Sequence, residues 1–183
     1  MNYLKKALPI AIPLLIAAIL AGVVISNGGP VNLLRNMLGL SSDVQEDETI
    51  NWAAATEAPI LVPEGTDTTA KYTNVVSNGS LYAVYNGIWS RDTGYFMVPG
   101  GSLTITACGT AEGTQRYKIA VWKKVDSGAE YVSGSTGYIK TDGANYRYTV
   151  IGLDPNARYR ITVSYDSSRY YLYGMFQAEG VAV

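Results

Sequence analysis

Residues 148–165 read YTVIGLDPNARYRITVSY. Two alternating runs flank a turn. Tyr148 to Ile151 carries the aromatic and β-branched residues that pack well on a pleated surface. After the turn, Ile161, Val163 and Tyr165 alternate with Arg160, Thr162 and Ser164, so a strand from Tyr159 to Tyr165 has one apolar face and one polar face. Between the runs stands Gly152-Leu153-Asp154-Pro155. Proline fixes its own φ, and aspartate bonds the nearby backbone, so this tetrapeptide turns the chain. Two such strands joined by a tight corner specify antiparallel β-structure.

The same pattern extends outward from this corner. Leu81 to Trp89, Tyr95 to Val98, Ser102 to Cys108, Tyr117 to Val125, Glu130 to Ser133 and Tyr138 to Thr141 read as strands upstream of Tyr146 to Ile151. Tyr170 to Ala178 follows downstream, and Tyr72 to Trp89 reads as an added N-terminal strand or hairpin. Within 103–107, Leu103, Ile105 and Ala107 alternate with Thr104 and Thr106. Short strands separated by Gly and Asp-Gly signals indicate a sandwich or barrel. No helical period interrupts them, which argues against a parallel α/β fold. The predicted class is all-β, an antiparallel β-sandwich over 71–183, preceded by an N-terminal hydrophobic helix.

The segment from Gly152 to Tyr159 resembles the E–F corner of fibronectin type III domains, which are immunoglobulin-like β-sandwiches. In that corner a Leu-x-Pro turn precedes a tyrosine whose hydroxyl bonds back to the upstream backbone. The resemblance implies a Greek-key sandwich in which Leu153 fills the core, Pro155 shapes the turn and Tyr159 is the corner tyrosine. It also implies strand E at Tyr148 to Ile151, strand F at Arg158 to Tyr165 and strand G from Arg169 onward. The family's strand-B tryptophan has no counterpart in Ser102 to Cys108. Trp122 stands in the expected strand C instead.

The N-terminus differs in kind. Lys5 and Lys6 precede an uncharged run, ALPIAIPLLIAAILAGVVIS, from Ala7 to Ser26. A bilayer-spanning helix needs about 20 apolar residues, and a secretory signal has a basic start followed by an apolar core. The run at 1–26 satisfies both descriptions, a transmembrane anchor and a cleaved signal peptide. With lysines before it, the expected topology puts the N-terminus in the cytoplasm and the rest at the cell surface or outside the cell. Gly28-Gly29-Pro30 breaks the chain, and Val31, Leu34, Met37 and Leu38 lie at helical spacing, so 27–40 reads as a short helix. From Ser41 to Ala70 there is no lysine or arginine, whereas Asp43, Glu46, Asp47, Glu48, Glu57, Glu64 and Asp67 are acidic. Residues 41–70 therefore read as an acidic extended linker. Trp52 and Ile60-Leu61-Val62 stand out from it as points able to dock on the domain.

Composition excludes several chemistries. The chain has no histidine and one cysteine, so it holds no Ser–His–Asp triad, no His-ligated zinc and no intrachain disulfide. A net charge of −1 over 183 residues argues against nucleic acid as a partner. The acids of 71–183 sit mostly in turns, and no motif pairs them, so an enzyme is not expected; nor is any cofactor or metal.

Three features remain as candidate contacts. Tyr171, Tyr173, Trp89 and Tyr95 are aromatic residues able to stack on sugar rings if they face solvent, whereas packing within the sheets is the ordinary use of tyrosine in a chain with two phenylalanines. The basic residues Arg116, Lys118, Lys123, Lys124, Arg147, Arg158, Arg160 and Arg169 suggest a shared outer face that meets polyanions or simply protects sheet edges. Cys108, after Ala107 in a strand, reads as a buried thiol. The expected function is a non-catalytic, surface-exposed or secreted interaction module with a protein or glycan partner, tied to the membrane through 7–26 if that run is uncleaved. The alternatives are a carbohydrate-binding domain and a self-associating subunit of an extracellular fibre built by strand donation.

Overall fold

The computed structural model describes residues 50–183 apart from Thr114 and Ser168. The apolar run at 7–26, the helix expected at 27–40 and the acids from Asp43 to Glu48 lie outside the described residues. Among the described residues every regular element is a strand. In chain order these are β1 (Ala54–Ala55), β2 (Tyr72–Ser77), β3 (Ser80–Ile88), β4 (Ser90–Asp92), β5 (Phe96–Met97) and β6 (Ser102–Thr110). Then follow β7 (Arg116–Val125), β8 (Gly128–Tyr131), β9 (Gly137–Lys140), β10 (Tyr146–Ile151), β11 (Arg158–Ser164) and β12 (Leu172–Glu179).

The strands form two antiparallel sheets. One has the order β1-β10-β6-β12-β3-β2. The other has the order β4-β11-β7-β8, with β5 also on β11 and β9 also on β7. Alternation decides the interior. Leu103, Ile105 and Ala107 of β6, Tyr117, Ile119 and Val121 of β7, and Ile161 and Val163 of β11 are all buried in one core. The Asn78-Gly79 pair, with φ of 50° and 74°, makes the turn of the β2–β3 hairpin, since both positions need the left-handed region.

Tyrosine supplies much of this core, and each buried hydroxyl needs a partner. The Tyr85 hydroxyl lies 3.1 Å from that of Tyr117 and 3.2 Å from the Cys108 carbonyl oxygen. The Tyr148 hydroxyl donates to the Ile119 carbonyl at 2.9 Å. Small residues make the room. Gly174 is the register partner of both Tyr85 and Gly109, and the Tyr117 ring covers Gly109 so closely that an added Cβ would lie 2.8 Å from it.

Leu153 and Tyr159 are buried. The Asp154 N–H donates to the Tyr159 hydroxyl at 2.7 Å, and that hydroxyl lies 3.3 Å from the Asp154 carbonyl oxygen. Pro155 stays exposed in the turn. Tyr159→Phe should cost about 1–3 kcal/mol, because it leaves a backbone donor without its acceptor. Denaturant titration reads this directly, and an unchanged midpoint would remove the corner from the stabilising features.

The last strand departs from the immunoglobulin-type arrangement, which places strand G beside F. Here β12 lies between β6 and β3, in the sheet opposite β11. The edge of β11 that strand G would occupy already holds β4 and β5, through Ser90 opposite Ser164 and Phe96 opposite Tyr159. With that edge filled, β12 finds its partners across the sandwich.

Residues 51–56 join the sandwich, although the sequence groups them with the acidic linker. Trp52 makes a parallel bridge to Tyr138, with hydrogen bonds from Ala53 N–H to the Tyr138 carbonyl and from Tyr138 N–H to the Asn51 carbonyl at 3.0 and 2.9 Å. Two residues later β1 pairs with β10 in the other sheet. One short arm thus laces the sheets together, and Ala53 is buried between them.

Candidate binding surface

Three of the four aromatic candidates meet at one end of the sandwich. A β-bulge puts them there. Leu172 pairs with Ile88 and Tyr173 pairs with Asn86, so Gly87 is an extra residue in β3, with φ at +74°. A bulge inverts the alternation of the residues that follow it. Tyr85 and Ile88 therefore both face the core, and Trp89 emerges outside, 48% exposed. The Trp89 indole N–H donates to the Tyr170 carbonyl at 3.1 Å. Its ring stacks on Tyr171 with centroids 4.9 Å apart and planes at 16°.

Tyr171 and Tyr173 point outward on either side of buried Leu172, as strand alternation requires. Their exposures are 43% and 48%. The Tyr173 ring lies across Gly87, where the missing side chain leaves a flat seat. Beside them opens a recess of about 350 Å³, lined by Tyr171 and Tyr173 and by the polar side chains of Thr110, Glu112 and Arg169. The Arg169 guanidinium stands 5.3 Å from the centroid of the Tyr170 ring. The arrangement offers half-exposed ring faces with donors and acceptors at their margin. It can stack a flat apolar surface and bond hydroxyl groups around it.

Tyr95 does not join this group. It precedes Phe96, which pairs with Tyr159, five residues along β11 from the Ser164–Ser90 pair next to Trp89. At about 3.3 Å per residue the two ends of that edge are about 17 Å apart. The Tyr95 ring instead lies under the Lys124 ammonium, 5.5 Å from its centroid. Tyr146 and Tyr148 of β10 are buried.

Arg147 does not share an outer face with Arg158 and Arg160. Arg147 lies on β10 and Arg158 and Arg160 on β11, and these strands belong to opposite sheets whose outer faces point apart. Four of the eight cations also have acidic neighbours. Arg147 pairs with Glu179 at 2.5 Å, Arg160 with Asp92 at 2.9 Å, Lys118 with Asp166 at 2.7 Å and Lys123 with Asp154 at 3.3 Å. Strand period shows which face a residue takes, but not which sheet its strand enters. Cys108 is half-buried, and burial pushes its thiol pKa up, which keeps it protonated and unreactive at neutral pH.

Sequence reasoning did not bring Arg169 and Glu112 to the recess. They lie in two loops that are neighbours only in the fold. Gly87 inside an apolar strand was the readable signal, because an isolated strand glycine marks a bulge.

No protein-family model matches the chain, and a search of curated proteins finds no match. Among solved structures the chain is similar to the second N-terminal cellulose-binding domain of Cellulomonas fimi β-1,4-glucanase C, determined by NMR. The identity is 13%, the TM-score is 0.28, and the alignment covers 63% of this chain and 85% of that chain.

Proposed function

We propose that this chain is a non-catalytic binding module that takes a glycan on Trp89, Tyr171 and Tyr173. The observation that carries the reading is the cluster itself: three large aromatic side chains, each nearly half exposed, fixed at one end of a rigid sheet beside a polar recess. Exposed rings of this size face water at a cost, and a sugar's C–H face is the flat, weakly apolar partner that covers them while its hydroxyls reach Thr110, Glu112 and Arg169. The stack of Trp89 on Tyr171 holds both rings in place before a ligand arrives, so little side-chain entropy is lost on binding. In this reading the apolar run at 7–26 exports or anchors the module, which works outside the cell or at its surface.

Retention of the full-length protein on soluble and insoluble polysaccharides tests the proposal. Tyr171→Ala combined with Tyr173→Ala should weaken retention about tenfold or more, the scale of truncating two anchor residues. Outward-facing positions should leave the free energy of unfolding within about 0.5 kcal/mol of the parent. A double variant that binds as the parent does would sink the assignment, as would a parent that retains no polysaccharide.

A further inference from the structure

We infer that a second site, built on Arg116, Lys118 and Lys140 with the rings of Trp52 and Tyr138, binds acidic sugars. It shares no residue with the Trp89 platform and stands whether or not that platform binds glycan. The inference begins with an electrostatic conflict. Arg116 of β7 and Lys140 of β9 are directly opposed register partners, and Lys118 lies two residues along the same face of β7, opposite Tyr138. Like charges facing each other across a strand pair are destabilising. Among the described residues, neither Arg116 nor Lys140 has a carboxylate within ion-pair distance, and Asp166 pairs with Lys118 alone. Asp142 acts on Lys140 at longer range, and among the described residues the three cations of the cluster still outnumber the two carboxylates near them.

The cations are also held in position. The Arg116 guanidinium lies 5.8 Å from the Trp52 ring centroid and 5.2 Å from that of Tyr138, and the two rings are 6.2 Å apart at 52°. Cation–π contact fixes the guanidinium without neutralising it, so its hydrogen-bond donors stay available. Trp52 remains 47% exposed. Next to this cluster is a recess of about 300 Å³ lined by Gln115, Arg116, Lys118, Tyr138 and Asp166. Fixed cations suit a carboxylate or sulfate group. The exposed indole suits the face of a sugar ring, and Gln115 and Asp166 supply acceptors for its hydroxyls. The net charge of −1 over the whole chain argues against a nucleic acid as the polyanion. The ligand class is thus an acidic polysaccharide. Its charge comes from uronate or sulfate groups, which offer the same oxygens to these cations.

The experiment measures binding of the full-length protein to polygalacturonate, to heparin, to a neutral polysaccharide and to a single-stranded oligonucleotide. Binding to at least one of the two acidic polymers is expected, and it should weaken as salt rises, because exposed charges are screened. Polygalacturonate and heparin distinguish carboxylate from sulfate. Lys140→Gln, at an exposed strand end, and Arg116→Gln should each weaken that binding by about tenfold, the scale of losing one charge-assisted contact. The Tyr171→Ala, Tyr173→Ala variant should bind the acidic polymers as the parent does, so failure of one site does not imitate failure of the other. If Arg116→Gln unfolds, Lys140→Gln decides alone. Equal binding of acidic and neutral polymers, unchanged binding by Lys140→Gln, or tighter binding to the oligonucleotide than to either acidic polymer would overturn the inference.

Discussion

Gly174→Ala is expected to destabilise the sandwich by at least about 3 kcal/mol, the upper end of what overpacking and backbone strain each impose. Gly174 lies inside β12 with φ at +158°, between Tyr85 on β3 and Gly109 on β6. A Cβ there would overlap the Cys108 carbonyl oxygen and lie 2.8 Å from the Gly109 Cα and 2.9 Å from the Tyr85 ring. Two of those three obstacles are backbone atoms pinned by the ladder between β6 and β12. They cannot step aside as a flexible side chain does. The third is a ring whose hydroxyl is engaged with Tyr117. Urea denaturation of the variant and the parent measures the difference. A loss under about 1 kcal/mol would mean that the central ladder yields, and the tight seat for Tyr85 would then not be a determinant of the fold.

High pH should unfold this protein steeply. Burial pushes the hydroxyls of Tyr85, Tyr117 and Tyr148 well above the ordinary phenol pKa of 10. Tyr146 is raised to about 12, first by its hydrogen bond to the Asp142 carboxylate and then by burial. A raised folded pKa means that the folded state keeps protons the unfolded chain releases. The stability from these groups is whole below pH 10 and is lost as pH climbs above it. Each phenol held neutral removes about 1.4 kcal/mol per pH unit in that window, so the three deepest together remove about 4 kcal/mol per unit. A domain of ordinary stability, about 5–15 kcal/mol, should unfold between about pH 11 and 13. Phenolate absorbance should then rise in a cooperative step coincident with loss of β-sheet circular dichroism. Tyr148→Phe should reduce the slope by about a third. A gradual titration of every phenol near pH 10, with the fold intact, would contradict this account of the core.

The legible parts of the sequence were those governed by local periodicity. Alternation in 103–107, 117–121 and 161–165 marks strands and their inner faces, and the same residues are buried in the fold. The Leu153–Tyr159 corner was readable because its hydrogen bond closes over five residues. Pairing across the sandwich was not readable. Nothing in Leu172–Glu179 announces that its neighbours are β6 and β3, because that depends on β4 and β5 occupying the edge of β11. The same limit separated Tyr95 from the aromatic group and Arg147 from Arg158 and Arg160. Trp52 was visible as an apolar point in an acidic stretch. Its partner Tyr138 lies 86 positions away, and only the folded chain brings them together.

The lacing arm also sets how the protein meets a mechanical load. Tension applied upstream of residue 50 enters first at the bridge between Trp52 and Tyr138 and at the two-residue ladder of β1, before it reaches β2. Those few hydrogen bonds are the weakest link in the path. When they part, the load passes to the bonds that Asn145 makes to Ala58 and Asn86 makes to Thr68, Ala70 and Lys71, and once these yield residues 57–71 pay out as slack, about 50 Å of extended chain at about 3.3–3.6 Å per residue. The ladders of β3, β6, β11 and β12 stay intact while that slack is taken up. The arm is then a fuse with its own spare cable: a sudden tug is absorbed by a reversible release, the Trp89 platform outside the arm keeps its shape, and the Arg116 cluster gives up Trp52 until the arm returns.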